Sequence, residues 1–174
     1  MTSNNESPLN TANETISALQ SKAEQGDPKA QYELAECYFE GDGVEENAEE
    51  GVKWLKKAVE QGHTGAQYDL AWCYLDGDGI EQNREEAKKR FTIVAEKGDP
   101  EAQHNLGMLL FEDSCTAAHT EGMELDAERY KKEAEKWLRK AAEQGYPESQ
   151  RELTRFHLGD KGAEKDSIHR TKRH

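Results

Sequence analysis

Apolar residues in this chain come in short bursts at three- and four-residue steps, and the bursts themselves return every 36 residues. In AQYELAECYFEGDG, from Ala30 to Gly43, Leu34, Ala35 and Tyr38 fall at i, i+1 and i+4 on one helical face. In the stretch that follows, Val52, Leu55 and Val59 repeat those steps on a second helix, with Trp54 and Ala58 beside them. Gly41 and Gly43 end the first helix and Gly62 the second, because glycine enters the left-handed region without a Cβ clash. Val44, like Ile80 one period on, turns an apolar side chain back under the glycine turn. Pro28, Pro100 and Pro147 open later helices, where a missing N–H costs nothing.

Ala30 and Ala66, Leu34 and Leu70, Tyr38 and Tyr74, Gly41 and Gly77, Gly43 and Gly79, and Gly62 and Gly98 are each 36 residues apart. A third unit opens with AQHNLGMLLFED at Ala102 and closes with AEKWLRKAAEQG at Gly145, with 11 extra residues and no paired glycines. TISALQSKAEQG (Thr15 to Gly26) matches the second half of a unit, and SQRELTRFHLGD from Ser149 matches the first half. The predicted organisation is a disordered segment 1–12, a half unit 13–26, repeats 27–62, 63–98 and 99–145, a half unit 146–159, and a flexible basic tail 160–174. Within the third unit the expectation is a loop at 114–122, then a long helix from Met123 to Gln144 rich in strong helix formers. No stretch alternates as a strand would, so the fold class is all-α. A unit this short cannot bury its apolar face alone, and neighbouring pairs must stack.

Apolar residues make up only 34% of the 174, and charged residues another 34%, which suits a thin core shared between stacked helices. The net charge of −13 repels phosphate backbones and argues against nucleic acid as a partner. The tail runs the other way, with five basic residues against three acidic ones from Asp160 to His174. No run approaches the ~20 apolar residues of a membrane span, and MTSNNESPLN does not read as a secretory signal. Cys37, Cys73 and Cys115 are too few and odd in number for a disulfide scaffold, so the expected location is cytoplasmic. Cys37 and Cys73, at equivalent positions, read as small buried apolar groups. Cys115 and His119 lie near Glu112 and Asp113, yet lack the cysteine or histidine pair of a zinc site. With no nucleophile–base arrangement and no phosphate loop, neither catalysis nor a metal or other cofactor is expected.

The pattern AxYxLA–CY–xGDG–(Val/Ile), then KWLKKAxEQG, resembles the Sel-one-like repeat (SLR), a relative of the tetratricopeptide repeat. The latter runs 34 residues and usually lacks the Gly-x-Gly-Val turn. The resemblance extends over roughly residues 15–160. Three departures stand out: Arg90 where Trp54 and Trp137 stand, Gly51 where Ala87 and Ala134 stand, and Asp113 and Cys115 in place of the paired glycines. The resemblance implies an α/α superhelix, a right-handed solenoid of antiparallel helix pairs. It also implies the work of an adaptor or scaffold that binds another protein, and, as many such relatives are bacterial, a bacterial source. Other relatives are inhibitors of the immunity-protein kind, or are associated with β-lactam binding or hydrolase-like activity.

In such superhelices the first helix of each pair lines the concave face. By that analogy the partner-binding stripe holds Tyr32, Glu36, Phe39 and Glu40; Tyr68, Trp72, Leu75 and Asp76; His104, Met108, Phe111 and Glu112; and Arg151, Arg155 and Leu158. Aromatic residues, methionine and arginine are the types enriched where interfaces concentrate their energy. Trp72 replaces Glu36 and Met108 of its neighbours, so the repeat itself does not demand tryptophan. For Tyr32, Tyr68, Trp72, Phe39 and Phe111 a second reading, packing between helices, stands open beside the first. The chain is expected to be a monomer or a weak end-to-end dimer, since Phe156 and Leu158 have no following helix to cover them.

Overall fold

A computed structural model describes residues 8–155, with side chains from residue 16 onward. The chain divides into two compact units, Met1–Ile93 and Val94–His174. The first holds α1 (Pro8–Glu24), α2 (Pro28–Glu40), α3 (Ala48–Glu60), α4 (Thr64–Asp76) and most of α5 (Arg84–Glu96). The second holds the end of α5, α6 (Pro100–Ala118), α7 (Glu124–Glu143) and a further helical stretch, 147–155. Among the described residues there is no strand. Helix α1 begins at Pro8, inside the segment 1–12 expected to be disordered, because proline suits a first turn and the helical half unit extends upstream to meet it. The tail 160–174, Phe156 and Leu158 lie outside the described residues.

The glycine turn joins each short pair in the same way. Gly41 sits at φ 70° and gives its N–H to the Cys37 carbonyl, and Asp42 N–H bonds the same oxygen at 3.0 Å. Asn47 then donates its N–H to the Tyr38 carbonyl at 2.8 Å, while its side chain caps α3 by accepting from Glu50 N–H at 3.1 Å. Gly77, Asp78 and Asn83 reproduce every bond one repeat later, against Cys73, Tyr74 and Glu86. Orphan groups at both helix ends are thus satisfied inside the turn. The second glycine does something different. At Gly79 (φ +64°) a Cβ would lie 2.3 Å from the Ala48 carbonyl oxygen, so this turn rests directly on the backbone at the start of α3.

Burial in the first unit is carried largely by small residues. Ala35, Ala58, Ala66 and Ala71 have no exposed surface, and Leu34, Leu55 and Leu70 fill the space between them. Trp54 contacts both apolar clusters of this unit, the one around Ala23, Ala30 and Leu34 and the one around Leu55 and Leu70. Lys57 Nζ covers the Trp54 ring, 3.5 Å from its centroid. A buried glutamine closes the junction between successive elements: Gln31 Nε2 donates to the Ala23 carbonyl (3.0 Å), and Gln61 Nε2 donates to Gln31 Oε1 (2.7 Å). Gln103 does the same in the second unit, with the Ala95 carbonyl at 3.0 Å and Gln144 at 2.9 Å.

The third pair is where the structure departs from expectation. Helix α6 runs through the predicted loop 114–122 as far as Ala118, leaving only 119–123 as the connection. With 19 and 20 residues, α6 and α7 exceed the 13 of α2 to α5 by six and seven, and their connection is two shorter, which accounts for all 11 inserted residues. No glycine pair follows Phe111 to stop α6, and the added turn buries Ser114 and Ala117. Gly107 allows the close approach of α7, since a Cβ there would meet Leu138 Cγ at 2.7 Å.

Two glycines at positive φ separate backbone strain from close approach. A Cβ at Gly62 (φ +83°) meets nothing within 4 Å, so Gly62→Ala is expected to cost about 1 kcal/mol, the strain of the left-handed conformation alone. Gly79→Ala adds a clash with backbone that cannot swing aside, and is expected to cost more than ~3 kcal/mol in thermal unfolding.

Candidate functional site

Within the first unit, α2 and α4 are the first helices of successive pairs, and a cleft of about 280 Å³ opens between them. Phe39, Trp72 and Cys73 supply its apolar surface. Glu36 and Glu40 of α2, Asp69 and Asp76 of α4, and Asp78 of the following turn supply carboxylates. Trp72 is 37% exposed, the rest of it held by edge-to-face packing on Phe91 (centroids 5.5 Å apart, planes at 84°). Phe91 is wholly buried and also takes Tyr68 edge-on at 5.5 Å. Tyr68 therefore belongs mainly to the packing beneath the cleft, while Trp72 spans both roles.

Phe39 owes its position to Gly51. A Cβ at Gly51 would lie 2.8 Å from both Cε2 and Cζ of the Phe39 ring, so the ring fills the notch that the missing side chain leaves in α3. The following repeat carries Leu75 and Ala87 at these two positions. The departure from the repeat at Gly51 thus has a structural reason: it admits an aromatic ring at the cleft wall.

The rim is acidic and crowded. Partial burial pushes the Glu36 carboxyl up from its ordinary range; a hydrogen bond from Tyr32 opposes this, and Asp69, Glu40 and Glu33 add to it by repulsion. Burial and hydrogen bonding to Asp69 and Glu36 raise the Tyr32 phenol, which stays protonated and acts as donor to these acids. Burial, reinforced by Asp78 and Asp69, pushes the Cys73 thiol up to about 12, so it is an unreactive part of the wall. Other acids of this unit have cations on their own helices, as in Glu33–Lys29, Glu50–Lys53 and Glu86 with Lys89 and Arg90. Among the described residues, no lysine or arginine pairs with Glu36, Glu40, Asp76 or Asp78.

The remaining stripe positions divide. Tyr32 stacks on His63 (4.6 Å, 23°), whose Nδ1 caps α4 by accepting from Ala66 N–H at 3.0 Å. In the second unit the two ring types exchange places: His104 lies against Tyr146 at 5.1 Å, with its Nδ1 2.9 Å from Ser149 Oγ. Burial lowers the His104 pKa despite Glu148, Glu152 and Glu101, and Ser149 has no exposed surface, so this histidine–serine contact forms a buried joint between helices. Leu75, Met108 and Phe111 are half-buried. Arg151 and Arg155 are exposed and paired along their own helix with Glu148 (2.6 Å) and Glu152 (2.9 Å). His119 bonds the Cys115 carbonyl through Nδ1 at 2.6 Å, and no cluster of three metal-ligating groups forms among the described residues.

The structure thus gathers Glu36, Phe39, Glu40, Trp72 and Asp76 in one cleft, with Tyr32 and Tyr68 packed at its margins. It adds Asp69, Cys73 and Asp78, which sequence reasoning missed. On α4 the lining positions are 69, 72, 73 and 76 instead of 68, 72, 75 and 76, a face turned by one residue. A pointer was present in the acids at the equivalent positions Glu33 and Asp69, each one residue after a tyrosine.

Three consecutive segments of the chain, residues 28–63, 64–99 and 100–146, match the Sel1 repeat. No curated protein matches the chain. Among solved structures it is similar to c5321, a protective antigen present in uropathogenic Escherichia coli strains displaying an SLR fold, with 37% identity and a TM-score of 0.66. That match covers 78% of this chain and 27% of the antigen, so the chain spans about a quarter of that protein's length. It is also similar to a Sel1 repeat protein from Oxalobacter formigenes, with 32% identity and a TM-score of 0.62 over 80% of this chain and 97% of the other. The fold class is that of these proteins, an all-α helical repeat.

Two substitutions test the build of the cleft. Gly51→Ala gains ~1 kcal/mol of helix propensity but collides with Phe39, and is expected to be net destabilising. In a Phe39→Leu background, which copies the second repeat, the same change is expected to stabilise, and thermal unfolding of the four-member cycle reads this reversal of sign. Glu36 has a raised folded-state pKa, so its contribution to stability is present below the unfolded value near 4.5 and is lost as pH rises through the folded value. Glu36→Gln is therefore expected to raise the melting temperature at pH 7, and the gain should vanish by about pH 4.

Proposed function

Because the chain belongs to the Sel1 repeat family, whose members are in general protein-interaction modules, we propose that it is a non-enzymatic adaptor that binds a segment of another protein in the cleft between α2 and α4. The observation that carries this reading is Trp72. The repeat does not require tryptophan there, and placing one 37% exposed beside Phe39 leaves apolar surface that a partner could cover. Half-packed aromatic residues in a concave site are the usual anchors of an interface. The volume of about 280 Å³ admits one or two side chains, so the partner docks through an anchoring residue with a wider polar contact around it. We place the protein in a reducing compartment, where Cys37, Cys73 and Cys115, all unpaired, would persist as thiols. Among the described residues no helix is long and apolar enough to cross a membrane.

The test is recovery of partners from native lysate by the wild-type chain beside Trp72→Ala and Phe39→Ala variants that keep their helical content and melting behaviour. A protein retained by the wild type and lost by both variants is the expected result. Equal recovery by all three would remove the cleft from the proposal.

A further inference from the structure

We propose that the occupant of the cleft is a positively charged segment of another protein, which seats one arginine side chain against Phe39 and Trp72. This rests on the protein-binding reading above and specifies its chemistry. The argument is one of complementarity. Phe39 and Trp72 present ring surface, and a guanidinium, flat and weakly hydrated, stacks on such rings more readily than an ammonium. The same cleft offers Glu36, Glu40, Asp69 and Asp76, so five N–H donors in a fixed fork meet acceptors on two sides. Glu36, Glu40 and Asp76 carry no lysine or arginine partner among the described residues, although Glu33 on α2 and other acids of this unit, Glu50 and Glu86, do. An incoming cation would supply the missing counter-charge and relieve the repulsion among them. An apolar anchor alone would bury these carboxylates uncompensated, and an acidic or phosphorylated segment would be repelled. An arginine satisfies the apolar surface and the rim together.

The experiment is selection from a phage-displayed random heptapeptide library on the wild-type chain and on Trp72→Ala in parallel. The expected result is wild-type-enriched peptides that share an arginine at one fixed position, with no such enrichment on Trp72→Ala. For the best synthetic peptide, replacing that arginine by citrulline, which keeps the shape and removes the charge, is expected to weaken binding roughly tenfold or more. Asp76→Asn is expected to weaken the arginine peptide but leave the citrulline peptide unchanged. Enriched peptides without a common cation that still require Trp72 would overturn the arginine and leave the binding cleft standing. Enrichment identical on both baits, or none on either, would overturn cleft and arginine together. A synthetic peptide of residues 160–174, which contains Arg170 and Arg173, runs alongside. Tighter binding by that peptide than by any selected one would make the chain's own tail the occupant and overturn the external partner.

Discussion

Close approach of backbones at residues with little or no side chain is the constraint on which the rest of this protein depends. Ala35, Ala58, Ala66 and Ala71 are fully buried, and Gly79 lets a turn rest on the carbonyl of Ala48. A chain with 34% apolar residues cannot build a thick core. It reaches interior packing density by bringing helices together until a few leucines fill what remains. Such proximity buries helix ends, whose carbonyls then need donors. The glutamines at 31 and 103 meet that need from within the next helix, which is why a polar residue is tolerated at a buried position.

Within that frame, the candidate site arises where the chain departs from its own repeat. Gly51 replaces an alanine and opens a notch, Phe39 fills the notch, and Trp72 replaces a residue that is glutamate or methionine in neighbouring units. The repeat supplies rigid helices, and a few irregular positions supply the surface chemistry. The crowded acids around the cleft fit the same division. Glu36 is held in a setting that disfavours its charge, through partial burial and the neighbouring Asp69, Glu40 and Glu33.

The second unit shows how repeat positions acquire different contents without changing their purpose. Tyr32 against His63 and His104 against Tyr146 are the same joint with the rings exchanged. Ser149, standing where the repeat has alanine, uses its extra oxygen to hold His104. The 11 inserted residues lengthen two helices and leave a shorter connection than the ordinary units have, so the irregular stretch extends the pair in place of forming a loop.

The 36-residue period, the helix pairs, the glycine stops and the all-α class were legible from the amino-acid pattern alone. These are properties of short stretches whose apolar spacing and left-handed glycines act locally. The pattern also singled out Trp72, Phe39 and Glu36. Other matters required the fold. Whether α6 stops at Phe111 depended on what its next turn could bury, and Ser114 and Ala117 are both buried there. Which side of α4 faces the cleft was decided by packing. Neighbouring positions on a helix are separated by about 100°, so spacing leaves a face uncertain by one residue, and the contact of Tyr68 with the buried Phe91 turned position 68 inward and brought Asp69 to the rim. The role of Gly51 was likewise invisible in one dimension, because the ring that needs its missing side chain belongs to another helix.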